Sequence, residues 1–196
     1  NFNLNRSIWD ESSNKAHWKN RPDKKKPFFS IFNLTLTHES CINNKDKHEL
    51  VTRDLPNQLR TNPENIVVPP YYPDTDKIRT LLTRHYDNIA MMDIVVKNLL
   101  QELEEAGETE NTIIFFYSDH GTGLPRHKRW LFDTGVKVPF IVYIPEKFKS
   151  LYPSNPGSEV DQLISFIDMG PTAIELAGGK IPKNMQGQAF LGKNLK

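Results

Sequence analysis

Cysteine is almost absent from the 196-residue chain: Cys41 stands alone, so an internal disulfide framework is excluded and the redox compartment stays open. Excess charge of either sign is missing as well. With 25 Lys and Arg against 24 Asp and Glu, the formal charge of +1 gives no general electrostatic reason to expect nucleic acid or an anionic membrane as partner. Any selectivity for anions must therefore be local. No hydrophobic run reaches the length of a membrane span, and there is no internal repeat or low-complexity tract. The opening Asn1–Arg6 lacks the basic and apolar regions of a signal peptide, an absence that means little if the chain is a piece of a longer one. What is present, 37% hydrophobic and 25% charged residues, is ordinary for one globular domain with a real core.

The richest stretch is Thr112 to Pro145. Thr112 to Tyr117 is a short apolar run that predicts a strand buried on both faces, ended by Ser118 and Gly121. It points at Asp119 and His120. In open parallel sheets ligands gather beyond the carboxyl ends of strands, so a carboxylate and an imidazole there are site candidates. A loop with Arg126, His127, Lys128 and Arg129 in a row follows, then a second strand, Val138 to Ile144, bounded by Pro139 and Pro145. An acid, a base and a cluster of cations between two strands suit an anionic substrate and a metal.

Residues 1–27 read as a polar surface segment, with a short helix around Asp10 to Trp18. Phe28 to Leu36 is a strongly apolar strand candidate that ends at Thr37-His38-Glu39-Ser40. Residues 42–73 read as loop because Pro56, Pro63, Pro69, Pro70 and Pro73 prevent long helices. Asp74 is placed to cap a long amphipathic helix, whose apolar positions Ile78, Leu82, Tyr86, Ile89, Met92, Val96, Leu99 and Leu103 recur every three or four residues up to Gly107. This helix is expected to lie across the sheet, and its link into Thr112 is typical of α/β folds. After a loop with Pro153, Pro156 and Gly157 comes the apolar segment Val160 to Ile167. Asp168 then caps a short helix that tolerates Pro171 in its first turn and ends at Gly178-Gly179.

The pattern F-Y-S-D-H-G, then a loop, then K-x-x-x-F-D-x-G-x-x-V-P-F-I-V, resembles the metal and substrate segment of the sulfatase family in the alkaline phosphatase superfamily. The short G-L-P-R-H-K-R loop is most similar to the heparan N-sulfatase (N-sulfoglucosamine sulfohydrolase) branch. The likeness continues in the F-F block ending at His38, in V-V-P-P-Y-Y-P, in I-D-M-G-P-T-A-I-E-L-A-G and in Gln186-Gly187, and so covers about residues 27–191. It implies a central, mostly parallel sheet flanked by helices, alkaline-phosphatase-like, of which residues 1–196 are part of a single catalytic domain. The Cys/Ser-x-Pro/Ala-x-Arg nucleophile motif and the early aspartate pair of sulfatases are not in the chain. Cys41, followed by Ile42-Asn43-Asn44-Lys45, does not match that motif and is expected to be a partly buried thiol. The nucleophile-bearing segment is therefore expected before Asn1.

By this resemblance the chain is a sulfuric-ester hydrolase for sulfate esters or sulfamates of sulfated glycans, located in a periplasmic, secreted or lysosomal compartment. Asp119 and His120 would be metal ligands, Lys128 a sulfate-binding cation, His127 a lesser substrate contact, and His38 the group that assists proton movement. Where many relatives carry a second histidine, this chain has Cys41. Calcium is the expected ion, with manganese or magnesium as alternatives, since calcium prefers oxygen and imidazole suits softer ions. Tyr71, Tyr72 and Trp130 are aromatic faces suited to a pyranose. The residues alone leave blander readings open: Asp119-His120-Gly121 as a simple turn, residues 126–129 as a solvated charge run, His38 as a strand-end histidine. His85 and His48 read as helix-face and loop residues. Other functions to weigh are a phosphodiesterase, phosphonate hydrolase or phosphoglycerol transferase of the same superfamily, and a non-catalytic anion-binding domain.

Overall fold

The computed structural model describes residues 8–152 and 155–193; Asn1–Arg6 and Pro153 lie outside them. Helix α1 (Glu39–Asn43) begins where the His38 ring turns back to accept from the Ser40 N–H at 3.2 Å. Helix α2 (Lys45–Val51) begins at Asn44, whose side chain accepts from the Lys47 N–H at 2.9 Å. Both helices fall where the sequence reads as loop or as its approach. The prolines that enforce irregular backbone start only at Pro56, so the residues before it are free to close helical turns.

Helix α3 (Asp76–Glu105) is the long helix of the sequence reading. Its cap is Thr75, not Asp74: the Thr75 hydroxyl accepts from the Ile78 N–H, while the Asp74 carboxylate is taken by Arg79 at 2.6 and 2.8 Å. It ends at Gly107, at φ 69°, where the Glu108 N–H reaches back to the Leu103 carbonyl.

Helix α3 does not lie across the sheet as expected; it packs against α1 and α2. The reason sits at mid-helix. Tyr86 and Ile89, read as core, are exposed, whereas Asp87 and Asn88 are buried. Asp87 accepts from the Thr61 N–H at 2.8 Å, and His48 sets its two ring nitrogens 3.0 Å from Asn88 Oδ1 and 3.8 Å from Asp87 Oδ2. His48, expected in a loop, is thus a buried tie between α2 and α3, and these partners offset the cost of burying polar groups. Beside this network Ile42, Ile66, Leu82 and Leu124 form an apolar core with Val68, Tyr72, Ile78 and Leu81 against it.

Strands β1 (Ile114–Tyr117) and β2 (Phe140–Tyr143) form an antiparallel pair, with Ile114 opposite Tyr143 and Tyr117 opposite Phe140. Among the described residues the sheet has these two strands, and the chain returns between them through a loop instead of a helical crossover, so the mostly parallel sheet expected is not seen there. Nor is β1 buried on both faces. Phe115 and Phe140 meet Phe190, and Tyr117 meets Phe140 and Phe166, but on the other face Ile141 and Tyr143 are exposed.

Residues 28–36 form no strand, the segment ending in a turn at Leu36, and Phe29, Ile31 and Phe32 stay exposed. Apolar content favours a strand, but only a hydrogen-bonded neighbour makes one, and none pairs here among the described residues. Residues 160–167 likewise hold no strand, only the start of a 3₁₀ turn at Phe166–Asp168. The helix expected over residues 10–18 reduces to a 3₁₀ turn at Trp18–Asn20, because the Glu11 carboxylate draws the His17 N–H and the Asn20 amide into a local turn instead.

Between the strands lies the one-turn helix α4 (Asp133–Val136), and near the end of the chain α5 (Met169–Leu176) carries Pro171 in its first turn and closes at Gly178, at φ 74°. Asp168 stands before α5 but does not cap it; its carboxylate accepts from the Ser165 and Gln188 N–H groups, each at 2.8 Å. Among the described residues no helix is long and apolar enough to cross a membrane.

Candidate functional site

The loop after β1 meets the start of α1 where Lys128 and Arg129 reach Glu39. Ser118 extends the ladder, its N–H donating to the Pro139 carbonyl at 3.4 Å, and its hydroxyl donates to the His120 carbonyl at 2.6 Å. The chain then folds onto α4. The Gly121 N–H donates to the Gly135 carbonyl, the His127 Nδ1–H to the Thr134 carbonyl at 3.1 Å, and the Thr134 hydroxyl to the Arg126 carbonyl at 2.6 Å. A Cβ at Gly121 would stand 2.0 Å from the Thr134 carbonyl oxygen, so only glycine allows this closure. D-H-G and F-D-T-G are thus two halves of one interlocked loop, and Asp119-His120-Gly121 is more than a free turn.

Glu39 joins this loop to α1. Its carboxylate accepts two hydrogen bonds from Arg129, at 2.8 and 3.0 Å, and lies 3.7 Å from Lys128 Nζ. The Arg129 guanidinium holds the Glu39 carboxyl below its ordinary value. Two cations therefore share one carboxylate, and the trio keeps a positive balance. Because Arg129 takes both oxygens at short range and Lys128 stays farther out, the surplus charge rests with Lys128. This corrects the reading of Arg129 as a solvated charge. Glu39 was missed in the sequence, although an acid next to His38 with charge opposite to R-H-K-R was a signal for it.

His38 comes to the same place through its neighbour Glu39. Its Nδ1 accepts from the Ser40 N–H, which puts the ring proton of the neutral form on Nε2, and that nitrogen makes no hydrogen bond among the described residues. His38 is exposed.

His127 lies on the other side. Its ring stacks on Tyr72 at 6.4 Å between centroids, and the Tyr71 hydroxyl reaches its Nε2 at 3.4 Å. Burial pushes both His127 and the nearby His85 below the ordinary imidazole value, His127 also disfavouring charge on His85. Tyr72, pushed up to about 12 chiefly by burial, stays protonated and donates to the Pro125 carbonyl at 2.5 Å. Trp130 is exposed and stacks on Phe132.

Asp119 is 82% exposed, and its carboxylate lies 3.5 Å from His120 Nε2, while His120 Nδ1–H donates to the Gly121 carbonyl at 2.7 Å. Two donors are too few for calcium, which takes six to eight oxygens, or for a four-coordinate ion. No group of three His, Cys, Asp or Glu placed to hold a metal occurs among the described residues, so these side chains do not compose a metal centre by themselves. Two surface depressions lie elsewhere, one lined by Pro63, Glu64, Asp76, Arg79 and Thr80, the other by Trp18, Arg21, Lys24 and Glu108.

The sulfatase family model matches residues 8–179. An ulvan-active sulfatase of Formosa agariphila is 39% identical over 95% of this chain and 35% of its own length. N-sulphoglucosamine sulphohydrolase of Homo sapiens is 31% identical over 58% of the chain and 22% of its own length. The extracellular sulfatase SULF-1 homolog of Drosophila melanogaster is 30% identical over 57% and 10%. The chain belongs to the sulfatase family, whose domain implies an α/β fold. It spans about a third of the length of the first of these relatives, consistent with a part of a catalytic domain.

Proposed function

We propose that the chain is part of a sulfatase that hydrolyses sulfate esters or sulfamates of sulfated glycans. The observation that supports this reading is the ion pair between Lys128 and Glu39, the residue next to His38, in a chain matched to the family over residues 8–179. Lys128 supplies a positive contact to the non-bridging sulfate oxygens, which strengthens as negative charge builds on them in the transition state. His38, with its proton on Nε2, donates to the departing group. His127, held between Tyr71 and Thr134, lines the approach together with Tyr71, Tyr72 and Trp130, aromatic faces suited to a saccharide.

Asp119 and His120 contribute two ligands to a divalent-metal site completed by residues outside the described ones; calcium is the first choice, manganese or magnesium the alternatives. The formylglycine nucleophile and further strands of a mostly parallel sheet belong to the rest of the same domain. The ulvan-active and N-sulphoglucosamine-hydrolysing relatives support a sulfated saccharide as substrate, and the extracellular relative supports a secreted location, with a periplasmic or lysosomal one as the alternative. The test is to assay the full-length enzyme on sulfated saccharides and phosphodiesters side by side. Faster cleavage of a sulfated saccharide is expected, with bound divalent metal found by elemental analysis. Preference for phosphodiesters would move the protein to another branch of the superfamily.

A further inference from the structure

Of the three arginine and lysine side chains in the 126–129 run, two converge on Glu39. Arg126 does not. Its guanidinium carbon lies 4.9 Å from the Tyr71 ring centroid and 4.3 Å from that of Phe132, and among the described residues it has no carboxylate partner. Aromatic faces hold a cation in place without neutralising it, and they leave its edge N–H groups free to donate in the plane of the fork. The backbone reinforces the placement. Arg126 has φ 70°, a left-handed conformation rarely adopted outside glycine, and its carbonyl is held by the Thr134 hydroxyl. The next residue, His127, is braced by Tyr71 and by the Thr134 carbonyl, and Lys128 follows it. An exposed, uncompensated guanidinium is therefore held in fixed orientation two residues from the cation that faces the reacting sulfate.

Resting on the sulfatase reading, we infer that Arg126 is a specificity-determining residue that binds a second anionic group of the same saccharide, a carboxylate or another sulfate, beside the sulfate ester attended by Lys128. A planar fork with paired donors fits either anion.

The test uses the full-length enzyme and two substrate pairs: a sulfated disaccharide carrying a uronate against its carboxyl-reduced counterpart, and a disulfated saccharide against its monosulfated one. Arg126→Met keeps an apolar stem on the rings and removes the charge; Arg126→Lys keeps the charge and loses the fork. The wild type is expected to prefer the dianionic member of one pair, and which pair identifies the anion. Arg126→Met should lower kcat/KM on that member roughly ten- to hundredfold, mostly through KM, the ordinary worth of a hydrogen bond to a charged group. The other member should be cleaved as before, and Arg126→Lys should recover part of the loss. Equal losses on both members of each pair, or no preference in the wild type, would overturn the inference. If the full-length enzyme cleaves no member of either pair, the sulfatase reading itself fails and the inference falls with it.

Discussion

Lys128 and Arg129 are adjacent in a basic run, yet their surroundings give them different work. Arg129 occupies both oxygens of Glu39, and Lys128, only 21% exposed at its side chain, is left 3.7 Å from one of them. Removing one preorganised contact to developing charge costs on the order of 3 kcal/mol of transition-state stabilisation, roughly a hundredfold in rate. Lys128→Ala in the full-length enzyme is therefore expected to lower kcat/KM by about a hundredfold. Arg129→Ala should cost less, but not nothing, because Glu39 would then draw Lys128 toward itself. Steady-state kinetics of the two variants, with melting curves to confirm folding, separates these roles. Equal and small effects would mean that the run is a solvated face. The division was not readable beforehand, because it depends on a carboxylate 89 positions before Lys128 that only the folded chain brings near.

At the scale of elements, legibility followed the range of the interactions that decide each one. Helix α3, strands β1 and β2 and the Gly178 stop were readable because periodicity, apolar runs and glycine act locally. Residues 28–36 were misread since a strand needs a partner, and α3 turned its middle the other way because His48 and Thr61 bond Asp87 and Asn88 from distant parts of the chain. Among the candidate residues, Asp119, His120 and His38 were singled out from their places after apolar runs and Lys128 by resemblance to K-x-x-x-F-D-x-G, whereas the pairing with Glu39 and the placement of Arg126 on Tyr71 and Phe132 were not readable. The packing of α3 on the candidate loop also carries a pH dependence. Burial holds the folded-state values of His85 and His127 below the ordinary 6.5, so the fold favours both neutral rings. Their contribution to stability is complete above the unfolded value near 6.5 and is lost as pH falls below it, where the unfolded chain binds more protons. The melting temperature should therefore decline from pH 7.5 to 5, and a His85→Gln, His127→Gln variant should decline less steeply. Equal slopes would remove these histidines from the account. The pair between Glu39 and Arg129 should persist through this window, because the Glu39 value is lowered from 4.5.

For the molecule as a whole, the proposed reaction lacks its nucleophile among the described residues. No Cys/Ser-x-Pro/Ala-x-Arg sequence occurs, and Cys41, within α1, is buried with 7% exposure. The two-stranded sheet leaves Ile141 and Tyr143 exposed on one face, and Phe29, Ile31 and Leu163 are exposed elsewhere. A lone two-stranded sheet is marginal in water, so this apolar surface, like the 35% coverage of the ulvan-active sulfatase, fits a larger domain. Residues 1–196 purified alone are accordingly expected to show no turnover of an aryl sulfate, even with added calcium, manganese or magnesium. In the proposed mechanism Lys128 and His38 would stabilise charge and move a proton, but neither would form the bond to sulfur, and Asp119 with His120 offers too few ligands to retain an ion. The measurement is product released per mole of segment, beside the full-length enzyme under the same conditions. Multiple turnovers by the segment would mean that a nucleophile lies among these residues, and the division of the site between this chain and the rest of the domain would be wrong.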